Sequence, residues 1–78
     1  EDINVSVRFE ADTHATLRRI GQNPRAFPIL RNTIRHAPMK RFPYSVYFEI
    51  TGDAVFVRAV FHQRRLNTHW MNRSNGRN

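Results

Sequence analysis

The sequence predicts an α+β domain in which one helix packs on a small antiparallel β-sheet. Three observations predict this class: a helical apolar face near the start, a proline-containing segment after it, and two later apolar runs separated by a Gly-Asp turn. Since 78 residues make one small domain, we expect a single domain over residues 1–78, with a flexible polar tail from about residue 71.

The first predicted element is a helix from about Val7 or Phe9 to Ile20. Its apolar residues recur at helical spacing, acidic residues lie early and arginines lie late, which suits the helix dipole. A glycine and then a proline follow, in the order typical of a helix end. Apolar and polar residues also alternate from Ile3 to Phe9, the period of a strand. An extended lead-in to the helix therefore remains open.

The middle of the chain is divided by prolines. The segment Asn23–Leu30 contains two of them and is predicted to be a loop. Three of its apolar side chains are expected to lie under the sheet: Phe27, Ile29 and Leu30. The next segment, Asn32–Arg41, predicts a first strand, which Pro38 places at an edge or a bulge. Ile34 and Met39 are expected to face the core.

The segments Tyr44–Ile50 and Ala54–Phe61 predict a β-hairpin. Both are mainly apolar, and Thr51, Gly52 and Asp53 between them are typical turn residues. Alternate residues are expected on opposite faces: Val46 and Phe48 against Tyr47 and Glu49, then Val55, Val57 and Ala59 against Phe56, Arg58 and Val60. Apolar residues on both faces predict a central strand that the helix covers on one side and that is partly covered on the other.

The composition indicates an acidic partner. Thirteen Lys and Arg residues oppose six Asp and Glu, for a formal net charge of +7, and every basic residue except Lys40 is an arginine. Arginine binds carboxylate and phosphate in a bidentate manner, so the partner is either nucleic acid or an acidic protein. A solvated basic surface is the simpler reading. With no cysteine, no signal peptide and no apolar run long enough for a membrane, the protein is expected to be cytoplasmic.

A basic and aromatic cluster follows the second hairpin strand. It comprises His62, Arg64, Arg65 and Trp70, and Lys40 and Arg41 are expected to add to it from the neighbouring strand. Arginines stabilise a developing phosphorane, a histidine moves a proton and an aromatic ring stacks on a base, so this is the residue set of a metal-free ribonuclease. Alternatively, His62 ends the strand, the arginines are solvated and Trp70 anchors the tail. No metal, cofactor, phosphate loop or catalytic triad is predicted.

Three sequence motifs, in this order along the chain, resemble the RelE/ParE superfamily of toxins from bacterial type II toxin–antitoxin systems. They are NPRAFP at residues 23–28, KRFPYSVYFEI at residues 40–50 and GDAVFVRAVFHQRR at residues 52–65, followed by the aromatic Trp70. The resemblance covers roughly Phe9 to Trp70 and implies helices packed on a small antiparallel sheet. Such toxins begin with a strand and a further helix, so the resemblance also implies that the N-terminus here is shortened and one helix is missing.

The resemblance favours one branch of the superfamily. RelE-like members cut messenger RNA on the ribosome with basic residues and a late tyrosine. Arg64 matches the arginine after the last strand, but Ser45 stands where that branch has an arginine and Trp70 stands where it has the tyrosine. Losing two such groups is costly if they act in the transition state. The ParE-like branch, which poisons DNA gyrase, is therefore the better match.

The resemblance implies a toxin that arrests growth by binding an essential target, expected to be DNA gyrase, and that a cognate acidic antitoxin neutralises. Antitoxin carboxylates are expected at Arg41, Arg64 and Arg65, with an antitoxin helix or strand over the sheet. One alternative is a ribosome-dependent mRNA interferase with His62 and Arg64 as candidate catalytic residues; its phosphate and base contacts are Lys40, Arg41 and Trp70. The other alternative is an inactive relic that only binds antitoxin.

Overall fold

The computed structural model describes residues 3–66, which form one helix packed on a four-stranded antiparallel sheet. This confirms the predicted α+β class. In chain order the elements are helix α1 (Ile3–Gln22), a 3₁₀ turn (Pro24–Ala26), strands β1 (Ile29–Arg31), β2 (Ile34–Pro38), β3 (Tyr44–Thr51) and β4 (Ala54–His62), and the short helix α2 (Gln63–Leu66). The strands lie in the order β1-β2-β3-β4, so each is beside its neighbour in sequence.

Helix α1 is longer at its start than the sequence predicts. The residues that alternate at strand period belong to the helix, so the extended lead-in is wrong. Val5 and Val7 are 40% and 56% exposed, whereas Phe9 is the first described residue to pack on the core. Adding turns to a nucleated helix costs little, so the helix continues beyond the part that the sheet contacts. It ends at Gln22, two residues later than predicted, because Gly21 lies within the helix and Pro24 marks its end.

The main core lies between α1 and one face of β2 and β3. Its buried residues are Ile20, Ala37, Met39, Val46 and Phe48. Partly buried residues pack around them: Phe9, Leu17, Phe27, Phe42, Tyr44, Ile50 and Val55. The predictions that Met39 faces the core and that Val46 and Phe48 share one face of their strand are therefore confirmed. Helix α1 lies over β2 and β3, and Val55 of β4 packs at the edge of this core.

A second cluster lies on the opposite face of the sheet. Ile34 and Tyr47 are buried there, and Leu30, Ala59 and Phe61 pack against them. Because its residues from Ser45 to Phe48 are all buried, β3 is the central strand that the mixed apolar pattern predicts.

The hairpin forms as predicted, but its register changes at one point. Strand β4 has one extra residue, Arg58, which forms a bulge. Tyr47 of β3 pairs with Ala59 and the next residue, Phe48, pairs with Val57, so Arg58 has no partner in the ladder. As a result Val60 lies on the helix side and Ala59 on the opposite face, so the predicted facing is wrong for these two residues. Arg58 shares the face of Phe56, as predicted. An extra residue on one strand reverses the facing of every residue after it.

The proline segment is fixed by two arginines. The Arg35 guanidinium donates to the backbone oxygen of Phe27 at 2.7 Å and to that of Arg25 at 3.4 Å. The Arg19 guanidinium donates to the Pro38 oxygen at 3.2 Å and lies 5.5 Å from the centre of the Phe27 ring. These contacts place Phe27 against the core, as predicted.

Strand β1 is the element that the sequence does not predict. It has only three residues, and Ile29 within it is 54% exposed, so the expectation that Ile29 lies under the sheet is wrong. A tight turn at Asn32, whose φ is +54°, joins it to β2. Asparagine tolerates this left-handed conformation better than most residues. The predicted first strand therefore shortens to Ile34–Pro38.

Candidate functional site

A basic loop between β2 and β3 is held in place by a carboxylate of the helix. One oxygen of Asp12, Oδ2, accepts hydrogen bonds from the backbone N–H groups of Arg41 at 2.9 Å and Phe42 at 3.1 Å. Asp12 is only 5% exposed. Two further bonds close the loop: the Met39 N–H donates to the Tyr44 oxygen, and the Tyr44 N–H donates to the Phe42 oxygen. The side chains of Lys40 and Arg41 thus project from a fixed backbone.

A row of aromatic rings connects this loop to the end of β4. Phe9 of α1 meets Phe42 and Tyr44 edge-to-face, with ring centres 5.2 and 5.1 Å apart. Tyr44 meets the His62 ring with centres 5.2 Å apart and planes at 69°. Such pairs add to the stability that burial alone provides. The row sets the position of His62 relative to the loop.

The backbone joins the same two regions. The Gln63 N–H donates to the Pro43 oxygen at 2.9 Å, and its side-chain amide donates to the Tyr44 oxygen at 3.4 Å. The loop and the start of α2 therefore meet at one end of the sheet. Lys40 and Arg41 share that end with His62 and Arg64, although they are more than twenty residues apart in sequence.

The His62 ring is oriented by its own chain. Its Nδ1 accepts a hydrogen bond from the backbone N–H of Arg64 at 3.1 Å, so the proton of the neutral imidazole lies on Nε2. The ring is half-buried. Nε2 is thus the atom that His62 offers to a ligand, as a donor to an anionic or carbonyl oxygen.

We call this region the basic end and define it by five side chains: Arg8, Lys40, Arg41, His62 and Arg64. Arg8 belongs to it because Arg8 and Arg41 line the same shallow cleft together with Asp12. All four of the Lys and Arg side chains are exposed. Within residues 3–66 no carboxylate forms an ion pair with them. The sequence gives no signal for Arg8, because the helix alone does not reveal which residue faces the loop.

The carboxylates of the described residues are placed elsewhere or already used. The Asp12 carboxylate accepts hydrogen bonds from the backbone of the loop. Glu49 forms an ion pair with Arg58 at 2.7 Å near the opposite end of the sheet. Asp53 lies in the hairpin turn, also at that opposite end. Glu10 lies 3.8 Å from His14 on the exposed side of α1. Arg8, Lys40, Arg41 and Arg64 outnumber the single nearby carboxylate of Asp12. The basic end therefore carries net positive charge, which favours a carboxylate or phosphate ligand.

Several arginines serve the fold and are not available to a ligand. Arg35 binds the backbone of the proline segment, Arg19 bonds the Pro38 oxygen and lies over the Phe27 ring, and Arg58 holds Glu49 through both Nε and Nη2. The net charge of the sequence therefore overstates the number of free guanidinium groups. The arginines that remain exposed at one end of the sheet are the ones that matter for binding.

The remaining predicted site residues have these positions. The backbone of Arg65 lies in α2. Trp70 and the tail from about residue 71 lie outside the described residues, so the stacking assigned to Trp70 stays a prediction. Ser45 is buried at 1% exposure on the face opposite the helix. The serine hydroxyl is thus enclosed in the sheet and does not belong to the basic end.

Residues 3–66 contain no group of three side chains suited to hold a metal ion. No helix in that part of the chain has both the length and the apolar character needed to cross a membrane. The chain matches no family model, no curated protein and no solved structure in the three comparisons made.

Proposed function

We propose that this chain is the toxin of a type II toxin–antitoxin system, of the ParE-like branch of the RelE/ParE superfamily. In this proposal the toxin arrests growth by binding DNA gyrase, and an acidic antitoxin neutralises it. The observation that carries the proposal is the basic end, where residues from two of the three motifs lie together. Lys40 and Arg41 belong to the motif at residues 40–50, and His62 and Arg64 belong to the motif at residues 52–65.

An acidic protein is the ligand that suits this surface. The guanidinium groups of Arg8, Arg41 and Arg64 are exposed and have no carboxylate partner within the described residues. Antitoxin carboxylates would supply those partners and cover the surface used on the target. Because the pairs would form at an exposed rim, they set the association rate and specificity, and they weaken as salt is added.

Gyrase is preferred to RNA cleavage because of Ser45. The resemblance places an arginine of the RNA-cutting branch at this position, whereas here a buried serine lies between β2 and β4. A serine has no positive charge with which to stabilise a phosphorane.

The test is induced expression of the full chain with and without the gene beside its own, scoring growth, RNA cleavage and DNA breaks together. The proposal expects growth arrest with gyrase-dependent DNA breaks and intact RNA, relieved by the neighbouring gene. Charge reversal at the basic end, Arg41→Glu with Arg64→Glu, should abolish arrest. The matched control is Arg18→Glu, an exposed arginine on α1 that lies outside the basic end.

Three outcomes would count against the proposal. Codon-specific RNA cleavage that His62→Ala and Arg64→Ala remove would assign the chain to the mRNA interferases. Unimpaired growth with folded protein present would make the chain a relic that only binds its antitoxin. Equal activity of the charge-reversed and control variants would show that the basic end does not contact the target.

A further inference from the structure

A small cleft lies between α1 and the basic loop, and we call it the helix–loop cleft. It encloses about 260 Å³ and is lined by two arginines, two alanines and one aspartate: Arg8, Ala11, Asp12, Ala15 and Arg41. Its four helix residues are three or four positions apart, so they share one face of α1. Pockets for drug-sized molecules run roughly from 300 to 1,000 Å³, so this cleft takes a smaller ligand.

The Asp12 carboxylate contributes an oxygen with acceptor capacity left. Its Oδ2 accepts both loop N–H groups, and within residues 3–66 no donor bonds to Oδ1. A carboxylate offers about four acceptor positions over its two oxygens. Because Asp12 is only 5% exposed, a donor in the cleft gains more from this charge than it would in water. A ligand with an N–H group placed near Oδ1 is therefore favoured.

The charges in the cleft match one carboxylate. Two guanidinium groups, of Arg8 and Arg41, oppose the single carboxylate of Asp12, so the cleft has a net charge of +1. Both arginines are exposed, and within residues 3–66 neither forms an ion pair with a carboxylate. A ligand carboxylate neutralises the cleft and suits the bidentate geometry of arginine. A phosphate carries about −1.5 to −2 at pH 7, so it would leave excess negative charge beside Asp12.

The two alanines, Ala11 and Ala15, give the same cleft an apolar wall. A matching ligand therefore has a carboxylate, an N–H donor close to it and an apolar side chain. The last residue of a peptide chain carries all three on one Cα atom. A free amino acid has an ammonium group in place of the amide, which adds positive charge to a cleft that is already positive. The charge balance thus favours the end of a peptide chain.

We propose that the helix–loop cleft binds the carboxylate end of a peptide chain whose last residue is apolar. The guanidinium groups of Arg8 and Arg41 pair with the terminal carboxylate. Asp12 Oδ1 accepts the amide N–H of the last residue, and the side chain of that residue packs on the two alanines. Capture of a terminal carboxylate is a known mode of peptide recognition. The inference goes beyond the proposed function, because it holds whether or not the chain is a toxin.

The test uses the full chain and N-acetyl-L-leucine, the smallest mimic of such a chain end. In NMR spectra it should shift the methyl signals of Ala11 and Ala15 and the amide signals of Arg41 and Phe42. N-acetyl-L-leucine amide lacks the carboxylate and should bind about tenfold more weakly, about 1.4 kcal/mol. N-acetyl-N-methyl-L-leucine lacks the N–H donor and should bind about fivefold more weakly. Free L-leucine should also bind more weakly than N-acetyl-L-leucine.

Two pairs of variants locate the site. Ala11→Leu fills the cleft with another good helix former and should abolish binding. Val7→Leu enlarges an exposed residue of the same helix outside the cleft and should leave binding unchanged. Arg8→Gln should weaken binding about tenfold, whereas Arg18→Gln, at an exposed arginine outside the basic end, should have no effect. The amide spectrum of each free variant reports whether its fold is intact.

Four results would overturn the inference. Equal binding of N-acetyl-L-leucine and its amide would show that the carboxylate is not recognised. Tighter binding of free L-leucine would make a free amino acid the ligand. Equal binding to Ala11→Leu and Val7→Leu would place the ligand outside the cleft, and no shift with ligand in the tens of millimolar would refute the site. None of these results bears on growth arrest, so failure of this inference and failure of the proposed function are distinguished.

Discussion

The Asp12 carboxylate accepts the backbone N–H of Arg41 at 2.9 Å and so ties the middle of the helix to the basic loop. The same oxygen accepts the next N–H, of Phe42, at 3.1 Å. A buried carboxylate is costly unless hydrogen bonds satisfy it, and two backbone donors do so here. Asp12 thus sets the position of Lys40 and Arg41.

Replacing Asp12 by alanine should destabilise the protein by about 2 kcal/mol. Two loop N–H groups would lose their acceptor in a partly buried region, and the cost of one unsatisfied group is roughly 1–3 kcal/mol. Urea unfolding measures the loss. Amide exchange of Arg41 and Phe42 should accelerate more than that of the β3 core residues.

The controls for this prediction lie on the same helix. Asp12→Asn keeps an acceptor oxygen but loses the charge, so its effect should be smaller than that of alanine. Glu10→Ala removes an exposed carboxylate and should change stability by less than about 0.5 kcal/mol. Equal effects of Asp12→Ala and Glu10→Ala would show that the loop does not depend on the Asp12 bonds.

Asp12 also shows where prediction from sequence stops. An aspartate within a helix pattern gives no local sign of a partner 29 residues later in the chain. The hairpin and the end of the helix were predictable because turn and stop residues act within a few positions. The basic end was predictable as a set of residue types, but Arg8 was not, since its place there depends on how the helix packs.

The bulge and β1 were missed for a related reason. The facing of Ala59 and Val60 depends on a register shift opposite Tyr47, which cross-strand packing determines. Strand β1 has three residues and forms only because β2 offers a partner. Local propensity is too weak to predict so short an element.

The two described glycines should respond oppositely to alanine. Gly52 has φ +60° in the hairpin turn, so Gly52→Ala should cost about 1 kcal/mol. Gly21 lies within α1, has no left-handed φ and leaves open space for a Cβ, so Gly21→Ala should stabilise the protein by about 0.5–1 kcal/mol.

Thermal unfolding of the two alanine variants checks this pair, each serving as the control for the other. A lower melting temperature for Gly21→Ala would mean that the end of the helix needs glycine. An unchanged melting temperature for Gly52→Ala would mean that the turn adopts another conformation in solution.

The pair Glu49 and Arg58 predicts a pH dependence. Hydrogen bonds from Thr33 at 2.7 Å and then from Arg58 lower the pKa of the Glu49 carboxyl below its ordinary value of 4.5. The contribution of the Glu49 carboxylate to folding stability is therefore fully present above pH 4.5 and is lost as the pH falls through the lower pKa of the folded protein. NMR titration of the Glu49 carboxyl measures that pKa directly.

Thr33→Val tests the cause of the shift, because it removes the hydroxyl donor and keeps the shape of the side chain. The Glu49 pKa should rise toward the ordinary value, and the acid limb of the stability profile should move to higher pH. Thr13→Val is the control, since Thr13 donates to the Phe9 backbone oxygen on α1 and does not touch Glu49. An unchanged Glu49 pKa in Thr33→Val would assign the shift to Arg58 alone.

Tyr47, buried in the central strand, predicts an alkaline limit to stability. Burial raises the pKa of its hydroxyl above the ordinary value of 10.0, because the phenolate would lose its hydration. As the pH rises past 10.0 the unfolded chain releases this proton first, so stability is lost between pH 10.0 and the higher pKa of the folded protein. Tyr44→Phe removes the only other tyrosine and keeps the ring that packs against Phe9. In that variant tyrosinate absorbance should rise only above pH 10.0, together with unfolding, whereas a rise at or below pH 10.0 with the fold intact would show that water reaches the hydroxyl.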